Sequence, residues 1–415
     1  MSPFRFLIQF LRDIKAQKLR TTLTMFGIVW GTVAVVLLLA FGEGLYNIAL
    51  EGMRGMGERI VVVFPQQTTL PYEGLGIGRP IRLKPEDAWA LEREIPEIEA
   101  ITPEYAQGGL KYKYKKNTTN ISVSGVYPVY ADLRNIQPQP GGRFISQNDV
   151  QKKRRIIFIG NELKDETFGD EDAIGQRITL NGLPFVVIGV LVDKVQNSSY
   201  GSRDEDKGFI PASTLSSIYG LRYINYLLYR PKPEFSSKDV TKRVYQVLGK
   251  RLRFDPEDKD ALFTLDTAEF EKILFYFFLV INLLLGIGGG CTMVVGGIGV
   301  ANIMYVVIRE RIGEIGIKMA VGAKPGHIMT QFFIETILII IIGGLMGFGI
   351  SALVVKVFSY LPLTEYVGTP KVSLFVSSVT ALVLGIIAFI AGYFPAKRAA
   401  GMHPVQALAL GKFQA

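Results

Sequence analysis

Residues 273–308 run for 36 positions without a charged side chain, and this feature fixes the solvent in which the chain folds. As a helix the run would reach about 54 Å at ~1.5 Å per residue, well beyond the ~30 Å hydrocarbon core of a bilayer. Three other segments are long enough to cross: 21–42, which is uncharged, 328–355, interrupted only by Glu335, and 372–396, again uncharged. Four transmembrane helices are therefore expected. A cleaved signal peptide would need a shorter apolar stretch and a small-residue cleavage site. Phe41, Gly42, Glu43 and Gly44 offer a poor one, so the first segment is read as a true span.

The surplus length of the second span has to go somewhere. Phe275, Tyr276, Phe277 and Phe278 suit the outer interface or a stalk above it, and the first span continues outward with Leu45, Ile48, Ala49, Met53 and Met56 at helical spacing. These patterns predict a helical stalk of two helices. The other reading is that Gly286 and Gly288 to Gly290 break the long run and leave an ordinary span.

Charge gives the orientation. The chain is 49% hydrophobic with a mean hydropathy of +0.27, too apolar for one soluble globule. Its net charge of +9 is absent from residues 46–271, where 31 basic side chains face 31 acidic ones. The whole excess lies in residues 1–20, in the loop after the second span and in the C-terminal tail with Lys397, Arg398 and Lys412. By the positive-inside rule those three segments and both termini are cytoplasmic, and the neutral stretch is a translocated domain between the first and second spans. A nucleic-acid-binding protein would concentrate its excess in the polar part; that class is excluded.

The polar stretch reads as a mixed α/β extracytoplasmic domain. Residues 59–64, 155–159 and 184–191 are β-branched runs that look like buried strands. Tyr112 and Tyr114, then Ile121 and Val123, alternate with polar residues around a turn placed at 117–119. Helices are expected at 85–95, with proline in the first turn, and at 237–250. The polar tract 196–207 reads as a mobile loop. Lys111, Lys113, Lys115 and Lys116, interleaved with tyrosines, read as the solvated face of the hairpin.

Chemistry-bearing clusters are scarce. Cys291 is the sole cysteine and sits in an apolar run, while His327 and His403 lack any ligand at metal-binding spacing, so no metal site is expected. No Gly-Lys is followed by Ser or Thr, which removes a Walker A loop. Glycines crowd the spans. Gly286 with Gly290 and Gly343 with Gly347 stand at i and i+4, and Gly296 and Gly297 extend the pattern, a signature of close helix packing in lipid. Glu335 lies about two turns from the cytoplasmic end of the third span. An ionised group there is a functional candidate, and the competing reading is a structural pair with Arg309, Arg311 or loop amides.

Two cytoplasmic segments are amphipathic. Phe4, Leu7, Ile8, Leu11 and Ile14 share one helical face, which predicts an interfacial helix on membrane lipid. The loop from Arg309 to Lys324 alternates Arg309, Glu310, Arg311, Glu314, Lys318 and Lys324 with Ile312, Ile315, Ile317, Met319 and Val321. That is too apolar for a linker and suits a short helix presented to a partner.

At this loop the chain resembles a known family. Gly296 through Met304, Arg309-Glu310-Arg311, Glu314-Ile315-Gly316, Ala320-Val321-Gly322-Ala323 and Phe333-Ile334-Glu335 resemble the FtsX-like permease domain of MacB-type ABC transporters. Upstream, Gly142-Arg143-Phe144, Ile159-Gly160, Phe168-Gly169, Ile174-Gly175-Gln176 and the 185–190 segment are similar to that family's periplasmic core domain. The resemblance implies a non-catalytic permease subunit in the inner membrane, working as a homodimer or a paired permease. The macrolide exporter that names the family carries its ATPase on the same polypeptide, whereas this sequence begins almost directly with the first span. A separate cytoplasmic ABC ATPase is therefore expected to hold ATP and Mg, with no cofactor on this chain. Arg309, Glu310, Arg311, Glu314, Lys318, Gly322 and Lys324 would couple to it. The resemblance further implies mechanotransmission, in which nucleotide-driven closure works the stalks and moves the outer domains, together with a periplasmic adaptor and an outer-membrane exit duct. A lipoprotein-releasing permease and an FtsX-like signalling device acting on a cell-wall hydrolase are the alternatives.

The expected organisation is an interfacial segment (1–20), first span (21–45), periplasmic core domain with stalk helices at both ends (46–271) and second span with stalk (272–308). A coupling loop (309–327), third span (328–356), short periplasmic loop (357–371), fourth span (372–396) and tail (397–415) follow.

Overall fold

A computed structural model describes residues 18–196, 199–361 and 363–402. The expected interfacial helix within 1–17, and the tail from 403 onward with His403 and Lys412, lie outside the described residues. The chain divides into two compact units, 49–274 and the remainder.

In chain order the elements are α1 (Lys18–Arg54), β1 (Val61–Pro65), α2 (Pro85–Glu94), β2 (Ile98–Tyr114), β3 (Asn117–Val126), α3 (Val129–Leu133), α4 (Gln147–Gln151) and β4 (Ile156–Ile159). Next come α5 (Asn161–Phe168), β5 (Arg177–Leu180), β6 (Leu183–Val190), a 3₁₀ turn (Asp204–Asp206), β7 (Gly208–Pro211), α6 (Ala212–Tyr219) and β8 (Tyr226–Pro231). The chain continues with α7 (Ser237–Leu252), β9 (Leu262–Asp266), α8 (Thr267–Glu310), α9 (Ile312–Ala320), α10 (Pro325–Phe358), α11 (Thr364–Val367) and α12 (Leu374–Ala400).

Among the described residues, four helices are long and apolar enough to cross a membrane: α1, α8, α10 and α12. α8 is one uninterrupted helix of 44 residues. The glycines at 286 and 288–290 do not break it, because flanking apolar residues and intact backbone bonds cost less in lipid than exposed peptide groups. The inserted α/β domain lies between the first and second of these helices.

Its strands form one sheet system in the order β3-β7-β4-β6-β5-β2-β8-β1-β9. β2 explains the connectivity. Its first half pairs antiparallel with β8 and its second half with β3, while Tyr112 and Lys113 also pair with β5. The pairings β2–β3–β7–β4–β6–β5–β2 consequently close on themselves, and β8, β1 and β9 extend the sheet beyond the ring. Alternation divides the apolar side chains between two cores. Val61, Val63, Leu227 and Tyr229 join one cluster, while Val62 and Leu228 join the other with Tyr130, Leu133, Phe158 and Phe209. Strands covered on both faces read as unbroken apolar runs, which is how β1, β4 and β6 show in the sequence.

Two local expectations need correction. The hairpin turn falls at Lys115 and Lys116, directly before the Asn-Thr-Thr segment, because Tyr114 pairs with Asn117 and Lys115 takes a positive φ of 48°. The polar tract ending at 207 is not a free loop. Asp204 and Lys207 are buried, fixed by an ionic cluster described below.

Candidate functional site

The membrane unit is built on close helix approach. An added Cβ on Gly27 would lie 3.1 Å from the Gly296 Cα, and one on Gly31 would lie 2.8 Å from the Met293 Cα, so α1 and α8 touch nearly backbone to backbone. α10 meets α1 at Gly343, opposite Ile28, and at Gly347, opposite Thr32, with added-Cβ distances of 3.0 and 2.6 Å. Gly297 packs against Ile387 of α12. Without a hydrophobic force between helices in lipid, this dispersion contact is what favours association.

The closest approach of α8 to the first span does not run through the Gly286–Gly290 face. That contact runs through Gly289, against Val35, and Gly296; Gly286 reaches only Leu39 at 3.8 Å and nothing lies within 4 Å of the Gly290 direction. One residue along a helix is a rotation of about 100°, and the i, i+4 spacing does not report which rotation faces the neighbour.

α9 forms from the charged loop after α8. Its end is a Schellman motif: the Ala323 N–H donates to the Lys318 carbonyl at 2.9 Å and the Gly322 N–H to Met319 at 3.1 Å, with Gly322 at φ +98°. Any other residue at 322 would be strained, so Gly322 sets where the helix stops. Pro325 then opens α10 in its first turn.

The inner face of α9 is held to α10. Ile315 and Gly316 are buried, the Arg311 Nη1 donates to Glu335 Oε1 at 3.3 Å, and the Lys318 Nζ donates to Gln331 Oε1 at 3.2 Å. Arg311 also bridges to Glu314 at 3.3 Å and lies 5.7 Å over the Phe332 ring. Glu335 is 8% exposed, so its charge is held by a partner rather than by water. Of the residues expected to couple, Arg311 and Lys318 thus turn inward to fix the helix. Arg309, Glu310, Glu314, Gly322 and Lys324 stay at the surface. Two apolar residues join them: Ile317 is 58% and Val321 85% exposed. With Glu314 they stand at i, i+3 and i+7, one face of a helix. Ile317 and Val321 were missing from the expected polar contacts, although exposed apolar residues on an amphipathic loop are the signal that identifies them.

Comparison with known proteins follows this division. Residues 21–247 match the MacB-like periplasmic core domain and residues 273–404 the FtsX-like permease C-terminal domain. The macrolide export ATP-binding/permease protein MacB of Neisseria gonorrhoeae is 32% identical over 414 residues, covering 99% of this chain and 61% of that protein. The protein of the same name from Vibrio parahaemolyticus is 31% identical, over 96% of this chain and 59% of its own length. The chain therefore spans about 60% of the length of these curated relatives. Among solved structures, the periplasmic region of MacB from Actinobacillus actinomycetemcomitans is 19% identical with a TM-score of 0.44, covering 55% of this chain and 98% of that one.

Proposed function

The chain belongs to the FtsX-like ABC transporter permeases with a MacB-like periplasmic core domain, and from that premise we propose that it transmits ATP-driven motion of a cytoplasmic ATPase to the inserted domain, which expels substrates on the far side of the membrane. An FtsX-like permease domain implies an ATPase to work with, and ATP hydrolysis is proposed for that partner; no Walker A sequence occurs within these 415 residues. The permease works as a homodimer or a paired permease in the inner membrane with both described ends of the membrane unit cytoplasmic. An adaptor and an exit duct complete the route in two-membrane bacteria.

One observation carries this reading. α9 is anchored on its inner face by Arg311–Glu335 and Lys318–Gln331, while its outer face offers Glu314, Ile317 and Val321. A helix held rigidly on one side and apolar on the other is suited to receive a force from a docked partner and pass it to α10. Glu314→Arg and Ile317→Asp, in protein that inserts like the wild type, should each weaken co-purification of the ATPase by roughly tenfold or more. Full co-purification with both variants overturns the docking assignment.

A further inference from the structure

Five charged side chains meet inside the inserted domain, and one of them reaches the end of α1. The buried Asp204 accepts from Arg134 Nη2 through both carboxylate oxygens, at 2.8 and 2.9 Å, and from Lys194 Nζ at 2.7 Å; Lys207 lies 3.0 Å away. Lys207 also stands 4.0 Å from Glu104. The Glu104 carboxylate accepts from Ser124 and Tyr200 at 2.6 Å each and from Tyr130 at 3.2 Å. The Arg134 guanidinium lies 4.6 Å over the Tyr200 ring. Burial alone would raise the Asp204 carboxyl, but Arg134, Lys207 and Lys194 reverse the sign and hold it far below the ordinary carboxylate range.

Lys194 uses all three of its donors. Besides Asp204, its Nζ donates to the Arg134 carbonyl and to the Gly55 carbonyl, both at 2.9 Å. Gly55 directly follows Arg54, the last residue of α1. The backbone there is wedged: a Cβ on Gly55 would overlap the Val195 carbonyl, and one on Gly57, at φ +129°, would overlap the Leu133 carbonyl. The start of α8 is tied to the same stretch. The Ile60 N–H donates to Thr267 Oγ1 at 3.0 Å, the Thr267 N–H donates to the Ile60 carbonyl at 3.0 Å, and Arg54 pairs with Glu271 at 3.5 Å.

We infer that Lys194 is a positioning residue through which displacement of the α1 end enters the core of the inserted domain, by joining the Gly55 carbonyl to the buried Arg134–Asp204–Lys207 cluster. The inference rests on the proposed function and names the joint that motion passes through. An ordinary flexible connection after Arg54 would absorb a displacement. A three-way ammonium contact on a charged cluster resists it, since any movement of Gly55 that leaves the cluster behind strands a buried donor.

The test is amide hydrogen exchange on the full chain with its ATPase in nanodiscs, with and without trapped nucleotide. Comparing the two nucleotide states of each protein removes any static destabilisation common to both. In the wild type the nucleotide should alter exchange at 309–324 and at 129–136. In Lys194→Met the response at 309–324 should persist while that at 129–136 shrinks roughly twofold or more. A wild-type-sized response at 129–136 in Lys194→Met overturns the joint. A wild-type chain that responds at 309–324 alone overturns instead the reading on which the joint rests. Should Lys194→Met fail to insert and fold, Lys194→Gln, which keeps two donors and gives up the charge, is judged by the same two criteria.

Discussion

The inserted domain and the membrane unit bury charge in opposite ways. In the domain, which holds two large apolar cores, three cations and two carboxylates are gathered into one cluster at Asp204 and Glu104. In the membrane unit the described buried carboxylate is Glu335, at the edge of the spans and paired with Arg311, and helix contact rests on glycine. Water explains the contrast. The domain gains burial free energy by removing apolar surface from it, and so tolerates an expensive ionic cluster. Helices already in hydrocarbon gain little that way and rely on shape. Stability in the first region should therefore respond to charge removal, and in the second to added volume.

The largest effect expected is in the domain. Asp204→Asn leaves Arg134, Lys194 and Lys207 around a neutral amide and should cost about 3–5 kcal/mol, read as earlier denaturant unfolding of residues 49–274 by exchange or proteolysis. The pH dependence has a definite sign. The folded carboxyl of Asp204 is depressed, so its contribution is fully present above an unfolded value of ~4 and is lost as pH falls below it. Asp204→Asn should flatten that acid-side loss; an unchanged acid limb would show that the buried Asp204 charge does not set the domain's stability.

Volume comes next. Gly31→Leu must displace the Met293 backbone and should cost about 1–3 kcal/mol of helix association, seen as reduced crosslinking between cysteines placed on α1 and α8. Gly290→Leu, with open space around it within the chain, should leave that crosslinking unchanged. Equal losses in both would mean that α8 is rotated from the orientation described.

A smaller effect is expected at the boundary of the two solvents. Glu335→Gln keeps an acceptor for Arg311 but gives up the charge, and should destabilise the α9–α10 contact by about 1–2 kcal/mol, measured as faster exchange at 312–320. The smallest is at the surface. Lys115 and Glu171 pair at 2.6 Å with both side chains more than half exposed, and Lys115→Met should leave the unfolding midpoint where it is. A shift there like that of Asp204→Asn would remove the distinction between buried and exposed charge.

Much of this architecture was legible in the sequence for the same physical reason. A bilayer imposes a minimum apolar length, so the four spans declare themselves, and strands buried on both faces leave apolar runs at β1, β4 and β6. The ionic cluster left no such trace. Glu104, Arg134, Lys194, Asp204 and Lys207 come from separate segments, and the tract around 204 has the composition of a solvated loop. The hairpin turn was misplaced because Asn117 is a familiar turn residue, while the positive φ was taken by Lys115. In α9 the charged residues were visible at once. Which of them would turn inward was not, since Arg311 and Lys318 find Glu335 and Gln331 only once α10 folds back beside them.

The outer face of α9 is proposed to receive the ATPase. Photo-crosslinking residues placed singly at 315, 317 and 321 in cells test it directly. Capture of an ABC ATPase is expected at 317 and 321 and none at the buried 315. Absence of that capture at both exposed positions, in protein that inserts normally, would contradict it.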